Sequence, residues 1–354
     1  TYIWTMALAM REAARHDILF VVLDRPNPIR GDIVQGNVQD SAFLSFIGMY
    51  PMPMRHGMTV GEVARWLNGE HAIDVRLEVV PVRGWRRSAY WHETGLHFTP
   101  PSPNMPSPES ALHYPGTCLF EQTSLSVGRG LPTAFQQIGA PWLEHEALAR
   151  RLNAMALPGV RFEPVRFPAV NPEAQSHLGE RVPGERRGVR FIATDPAAYD
   201  PTTTAVAALV EIRRMHPGRL EFAPNFDYIA GNASLRRQLV TGASATQITA
   251  DWDAQRAEFD RSNSFADSSV PKEPVPFAHF DSPRSHCPQP HSHRDGGRCT
   301  RHDLDFKAAA RRRPAADDRR ATASLVSFNR RAVRRRMPVG SASKSTKKTP
   351  GDGP

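Results

Sequence analysis

The N-terminal segment combines a helical pattern with a short apolar run, and this combination restricts the chain to few architectures. Residues 1–16 repeat apolar side chains at helical spacing, which predicts a helix. Residues 18–23 are apolar throughout and lead into Asp24-Arg25-Pro26-Asn27-Pro28, which predicts a buried parallel strand followed by a stiff loop. A helix followed by a buried strand is one step of a doubly wound α/β sheet. Because ligands of such sheets bind at the carboxyl ends of the strands, this loop is a candidate binding position.

Further elements are predicted along the chain. Thr59 and Glu62 have the spacing of a capping box, which predicts a helix that ends near Gly69. Residues 74–82 are typical of a strand, and Pro81 indicates an edge or an end of it. Residues 98–108 are dense in proline, which predicts a stiff, extended loop. A helix is predicted over residues 143–155, a strand over 188–194 and a helix over 203–216.

The basic charge of the chain is concentrated in its last quarter. The whole chain has 45 Lys and Arg against 36 Asp and Glu, a formal net charge of +9. Residues 1–260 hold 25 basic and 27 acidic side chains, whereas residues 261–354 hold 20 basic and 9 acidic ones. A folded nucleic-acid-binding domain needs a basic face, and the near-neutral first part gives no sign of one. The basic segment can hold polyanions such as nucleic acid only without sequence preference.

Residues 261–354 are predicted to form a disordered basic tail. Periodicity is lost there, and such a composition cannot bury enough apolar surface to offset the entropy of ordering. Five potential zinc ligands in the tail have no standard spacing, so no metal site is predicted; they are Cys287, His291, His293, Cys299 and His302. No window approaches the roughly 20 apolar residues of a membrane helix, so no membrane span is predicted.

Six segments of the chain occur in an order that is found in one protein family. They are residues 1–6, 22–28, 48–59, 101–106, 114–121 and 139–142. In these segments the chain resembles the NamZ family of exo-β-N-acetylmuramidases, long catalogued as a domain of unknown function. The resemblance covers about residues 1–260. It implies an enzyme that removes terminal N-acetylmuramic acid from the non-reducing ends of peptidoglycan fragments, without a metal or organic cofactor.

The resemblance also implies an architecture. The expected fold class is α/β, with a partial Rossmann-like domain over residues 1–142, a smaller α+β domain over 143–260 and the disordered basic tail over 261–354. The active site is expected in the cleft between the two domains, and the partners are expected to be peptidoglycan-derived muramyl sugars. Because residue 1 lies inside an apolar helical pattern, we expect the family domain to begin upstream of it. Family members act on wall material, which implies an extracytoplasmic location.

Two carboxylates are the candidate catalytic residues, because glycoside hydrolysis normally uses two carboxyl groups roughly 5 to 9.5 Å apart. Glu121 lies in the Leu-Phe-Glu segment that matches the family, and it is either catalytic or an acceptor for loop amides. Glu12 follows Arg11, the position at which the family usually has Glu. Because one residue turns a helix by about 100°, Glu12 does not simply replace that side chain.

Other departures from the family pattern indicate impaired catalysis. Gln35 and Val127 stand where the family has Glu, and the family's Glu-His-Gly segment lies upstream of the first residue of this chain. The expected function is therefore an exo-N-acetylmuramidase whose activity is reduced in this chain. The alternative is a muropeptide-binding protein without catalysis.

Five further residues are the candidate substrate-binding groups: Arg25, Asn27, His56, Asn104 and Arg129. Arg25 can pair with the lactyl carboxylate of muramic acid or with an internal carboxylate. Asn27 can bond to sugar hydroxyls, and His56 can donate to a sugar oxygen or hold its own turn. Asn104 can present its amide to the cleft or cap its own loop. Arg129, between two glycines, can reach a carboxylate ligand or remain in solvent.

Overall fold

A computed structural model of the chain describes residues 2–170, 177–181 and 184–262, which all fall within one compact unit. The α-helices in these residues are α1 Tyr2–Arg15, α2 Val60–Glu70, α3 Pro108–Thr117, α4 His145–Ala154, α5 Leu178–Arg181, α6 Pro201–Met215, α7 Phe226–Ala230, α8 Ser234–Thr241, α9 Ala245–Thr249 and α10 Trp252–Ser262. The strands are β1 Phe20–Leu23, β2 Gln35–Val38, β3 Pro53–Arg55, β4 Leu77–Val80, β5 Gln137–Ala140, β6 Val160–Phe167 and β7 Arg186–Ala193.

The strands form both parallel and antiparallel sheets, so the fold is mixed α/β. β1 and β4 are parallel, with Phe20 opposite Leu77 and Leu23 opposite Val80. β2 and β3 are antiparallel, and a three-stranded antiparallel sheet has the order β5-β7-β6. Residues 263–354, which include the predicted tail and its Cys and His side chains, lie outside the described residues.

Several elements that depend on local sequence are confirmed. α1 and β1 follow each other as predicted, and β4 ends immediately before Pro81. The capping box at the start of α2 is present: the Glu62 N–H donates to Thr59 Oγ1 at 3.2 Å, and the Thr59 N–H donates to Glu62 Oε2 at 2.8 Å. The segments predicted as helix, strand and helix become α4, β7 and α6 with shifted ends.

The expectation that β1 is a buried strand is wrong. Only Val22 of this strand is fully buried, whereas Val21 and Leu23 are 46% and 74% exposed. Val22 packs with the core on one face of the β1-β4 pair. No described element covers the opposite face. A prediction from apolar character alone therefore overestimates the burial of this strand.

Two apolar clusters form the core of the described residues. One cluster is built from α1, β1, α2 and neighbouring loops, with Phe259 of α10 added. The other runs from Met105 to Trp252 and includes α4, α6 and the three-stranded sheet. Hydrogen bonds join the two regions: Gln35 Nε2 donates to the Tyr199 carbonyl at 3.2 Å, and the Tyr90 hydroxyl donates to the Pro196 carbonyl at 2.6 Å. The predicted domain boundary at residue 142 stays a prediction, because contacts within one compact unit do not define where a domain begins.

None of the helices described is long and apolar enough to cross a bilayer.

Candidate active site

The loop after β1 is fixed to the start of α2 by the Asp24 carboxylate. This carboxylate accepts the Thr59 hydroxyl at 2.7 Å, the Gly61 N–H at 2.8 Å and the Arg25 N–H at 2.9 Å. A carboxylate at a helix N-terminus satisfies free amides and interacts favourably with the helix dipole. The loop therefore has a fixed position at the carboxyl end of β1.

We expect Asp24→Ala to lower the free energy of unfolding by about 2 kcal/mol, because a charged acceptor and a helix-end contact are lost together. Urea unfolding followed by tryptophan fluorescence measures this change. Asp17→Asn is the control: Asp17 is 84% exposed and meets Arg76 only at 3.7 Å, and asparagine tolerates its φ of +49°, so this variant should keep the wild-type midpoint. Equal midpoints for the Asp24 variant and the wild type would contradict the prediction.

The candidate binding residues of this loop have different surroundings. Arg25 is exposed, and no carboxylate of the described residues forms an ion pair with it, although its backbone N–H bonds to Asp24. Asn27 is used internally: its amide donates to the Met58 carbonyl at 3.0 Å and its oxygen accepts the Ile29 N–H at 3.1 Å. Arg25 is thus the group of this loop that is free to meet an anionic ligand.

His56 holds the same turn that Asn27 contacts. The Met58 N–H donates to His56 Nδ1 at 3.1 Å, and burial lowers the pKa of His56 to about 4. In the neutral ring Nδ1 accepts, so the proton resides on Nε2, which can donate to a ligand. Asn27 and His56 both form hydrogen bonds with the backbone of Met58, so the structure brings these two side chains together.

Two arginines brace this region, the buried Arg55 and the half-buried Arg87, and no local sequence pattern predicts either role. Arg55 is 2% exposed and donates to Gln35 Oε1 at 2.7 Å and to the Ile29 carbonyl. Burial lowers the pKa of Arg55, and no carboxylate in the described part of the chain forms an ion pair with it. Arg87 pairs with Glu62. Gln35, where the family resemblance places Glu, thus gives Arg55 a neutral partner.

Glu121 lies in the single-turn helical segment after α3 and is 4% exposed. The Arg129 guanidinium donates from Nε to Glu121 Oε1 at 2.5 Å and lies over the Phe135 ring. His177 Nε2 is 3.7 Å from the same oxygen. The structure therefore brings Glu121 and Arg129 together, whereas we had expected Arg129 to meet a ligand or solvent. Arg129 and His177 are 22% and 17% exposed, so a ligand reaching Glu121 meets them first.

The surroundings of Glu121 shift its ionisation. Burial raises the pKa of the Glu121 carboxyl, the Arg129 guanidinium lowers it, and the nearby Glu180 charge raises it, with a net increase. Burial lowers the pKa of His177 to about 4, with Arg129 acting in the same direction. A carboxyl group with a raised pKa can keep its proton and donate it in a reaction.

Glu180 is a second buried carboxylate at this site that we did not predict. It is 3% exposed and accepts the Ser126 hydroxyl at 2.7 Å and the Val127 N–H at 2.9 Å. More than fifty residues separate it from these donors, and the pattern around it is irregular. No sequence periodicity could therefore have identified it.

Glu12 and Asn104 are not in contact with Glu121. Glu12 lies on the outer face of α1, is 60% exposed and pairs with Arg15 at 3.0 Å. The backbone N–H of Asn104 is 3.4 Å from Ser102 Oγ, and no described residue bonds to its side-chain amide. Their predicted catalytic and substrate-binding roles stay predictions. Among the described ranges no group of three or more potential ligands could hold a metal ion.

Two family descriptions match adjacent parts of the chain. Residues 1–109 match "Exo-beta-N-acetylmuramidase NamZ, N-terminal", and residues 112–264 match "Exo-beta-N-acetylmuramidase NamZ, C-terminal". The chain belongs to the NamZ family. The family expectation from the six segments is thereby confirmed.

Individual proteins of the NamZ family agree with this assignment. The chain is 38% identical over 263 residues to the peptidoglycan β-N-acetylmuramidase NamZ of Bacillus subtilis (strain 168), a match that covers 74% of this chain and 62% of that relative. The chain thus spans less than two thirds of the relative's length. Two solved structures of DUF1343 family proteins from Bacteroides fragilis NCTC 9343 are similar, with TM-scores of 0.67 and 0.60 and identities of 32% and 26%. Each match covers 75% of this chain and 70% of the other.

Buried histidines predict a loss of stability in acid. The folded pKa values of His56, His113 and His177 are about 4, below the usual 6.5, because burial disfavours the charged ring. As pH falls, these histidines bind protons in the unfolded chain before they do so in the folded chain. The stabilisation from the neutral histidines is therefore fully present above about pH 6.5 and decreases as pH falls towards 4. We expect the urea midpoint to fall over this window and His113→Gln to flatten the dependence. His16→Asn, at an exposed position, is the control. A urea midpoint that depends more steeply on pH in the His113 variant than in the wild type would contradict the prediction.

Proposed function

We propose that this chain contains a glycosidase site that releases terminal N-acetylmuramic acid from the non-reducing ends of peptidoglycan fragments. The observation that carries the proposal is the buried Glu121 carboxyl, whose raised pKa suits a proton donor and whose position is fixed by Arg129. The name of the Bacillus subtilis relative supports the same substrate class. In this reaction Glu121 protonates the leaving glycosidic oxygen, while a second carboxylate or a water attacks the sugar.

The substrate-binding part of the proposal assigns the muramic acid carboxylate to Arg25. Its guanidinium is exposed, lies at the carboxyl end of β1 and has no described carboxylate partner. Arg–carboxylate pairs are frequently bidentate, which would fix the orientation of the sugar. His56 would then donate from Nε2 to a sugar oxygen near the same loop.

The test is the release of free N-acetylmuramic acid from a disaccharide in which muramic acid is the non-reducing sugar. The full chain is incubated with this disaccharide, and the Bacillus subtilis relative serves as the positive control. Release above the rate without enzyme supports the proposal, and a rate below that of the relative supports the expected impairment. A folded chain that releases nothing under conditions in which the relative is active would contradict a catalytic function.

A muropeptide-binding protein without catalysis is the second candidate function. It is favoured by the position of Glu12, which faces outward and pairs with Arg15 rather than approaching Glu121. Calorimetry with the same disaccharide distinguishes the two proposals. Heat of binding without release of sugar would support the binding function, and the absence of heat would exclude it.

The finer fold assignment is also a proposal. α2 connects the region of β1 to the parallel strand β4, and this arrangement supports a Rossmann-like N-terminal domain. An experimental structure in which helices cover both faces of the β1-β4 sheet would support it. A sheet that remains bare on the Val21 and Leu23 face would contradict it.

The extracytoplasmic location is proposed from the family's action on wall material. Fractionation of cells that produce the native protein tests it. Recovery with the wall or the extracellular fraction would support the proposal, and recovery with cytoplasmic markers would contradict it.

A further inference from the structure

The Glu180 carboxylate anchors the loop that carries Arg129. Its Oε2 accepts the Ser126 hydroxyl at 2.7 Å and its Oε1 accepts the Val127 N–H at 2.9 Å, with the Arg129 N–H at 3.5 Å. The Glu180 carboxylate is the acceptor in all three contacts. The loop from residue 126 to 129 therefore surrounds this carboxylate.

The backbone is shaped for this contact. A Cβ atom at Gly179 would lie 2.0 Å from the Leu125 carbonyl oxygen, so only glycine lets the segment before Glu180 approach the loop so closely. Gly128 and Gly130, on either side of Arg129, have φ values of +69° and +84°, which favour glycine. Gly179 thus lets α5 approach the loop, and Gly128 and Gly130 give the loop the turn that carries the Arg129 guanidinium to Glu121.

Among the described residues, few charged groups surround the Glu121–Arg129 pair. Arg129, His177 and Glu180 face Glu121, and the weakly acidic Tyr114 and Cys118 lie near it. On the far side, Arg186 acts on Glu180 and Arg181 acts on His177. Arg186 is fully buried and donates to the carbonyls of Gly179 and Glu180, so it fixes the backbone of α5.

We propose that Glu180 is a positioning residue of the active site: it holds the loop that carries Arg129 against Glu121. This inference rests on the proposed function, because it gives Glu121 the role of general acid. Glu180 itself is enclosed by the loop and needs no contact with the substrate.

The decisive experiment measures the contact between Arg129 and Glu121 without substrate. In the full chain labelled with ¹⁵N at arginine, NMR follows the Arg129 Nε–H, which donates to Glu121 and is assigned by its loss in Arg129→Lys. We expect Glu180→Gln to speed the exchange of this proton with water at least about threefold, because the loop that carries Arg129 loses an acceptor oxygen. Glu211→Gln is the control: Glu211 is another carboxylate that is 2% exposed and pairs with Arg151 at 2.7 Å. An unchanged exchange rate in Glu180→Gln would overturn the proposal.

A second variant leaves Glu180 in place. Ser126→Ala removes one donor to the Glu180 carboxylate and should also speed exchange of the Arg129 Nε–H, so the proposal is tested even where Glu180→Gln does not fold. An unchanged exchange rate in Ser126→Ala would overturn the proposal. Where the chain is active, kcat should fall in Glu180→Gln with little change in KM, because Glu180 acts through Arg129 and Glu121 and does not contact the substrate. An inactive wild-type chain would contradict the proposed function but leave the exchange measurement able to test Glu180.

Discussion

Glu121→Gln is expected to lower kcat for release of N-acetylmuramic acid by about 10² to 10⁴-fold, with KM changed by less than about threefold. The amide retains the shape of the side chain but cannot supply the proton, and general acid catalysis contributes about this factor. Hydrolysis of the muramyl disaccharide, measured as free sugar against time, provides both constants. Glu211→Gln makes the same chemical change at an equally buried carboxylate paired with Arg151, and it should retain wild-type kcat.

The identity of the leaving group tests the role of Glu121 directly. A dinitrophenyl muramide has a leaving group that needs no protonation, so Glu121→Gln should slow its hydrolysis far less than that of the disaccharide. An equal loss on both substrates would show that Glu121 does not act as the proton donor. Activity of the variant on the disaccharide within about threefold of wild type would contradict any essential role.

The same substitution should change the dependence of stability on pH. Because the folded pKa of Glu121 lies above its ordinary value of 4.5, the folded state binds this proton more tightly than the unfolded chain. The resulting stabilisation is fully present below about pH 4.5 and is lost as pH rises through the folded pKa. Glu121→Gln carries no such proton, so its urea midpoint should lack this part of the dependence.

The features of the fold that depend on neighbouring residues could be predicted from the sequence. α1 follows from its periodicity, and the start of α2 follows from Thr59 and Glu62, whose hydrogen bonds involve residues three positions apart. The burial of β1 could not be predicted in this way, because it depends on which elements cover each face of the sheet. The apolar sequence around Val21 and Leu23 is typical of a buried strand, but both side chains are exposed, as on a surface strand.

The candidate site shows the same division between local and distant contacts. Glu121 and Arg129 were both recognised as candidates, and they are eight residues apart, yet the ion pair between them depends on the fold of the intervening loop. Glu180 meets Ser126 across 54 residues, through a close approach at Gly179 that has no repeating sequence pattern. The sequence therefore indicates which individual residues can act in catalysis or binding. It does not indicate which partners they contact in the fold.

Gly116→Ala is expected to lower the free energy of unfolding by about 4 kcal/mol or more. A Cβ atom at Gly116 of α3 would lie 1.9 Å from the Pro201 carbonyl oxygen at the start of α6, and neither helix backbone can yield without moving its neighbours. Alanine gains only about 1 kcal/mol over glycine in helix propensity. The steric clash outweighs this gain, so the variant is less stable than the wild type. Separation of the helices would also break the 2.9 Å contact between His113 of α3 and the Tyr199 hydroxyl.

Urea unfolding followed by tryptophan fluorescence measures the Gly116→Ala effect, and Gly242→Ala is the matched control. Gly242 has a φ of +84° at the end of α8, and an added Cβ would meet nothing within 4 Å. The control variant should therefore lose only about 1 kcal/mol, the usual penalty for a left-handed residue with a side chain. Because both variants add the same methyl group, the difference between them isolates the close contact of α3 with α6. Equal losses in the two variants would contradict that contact.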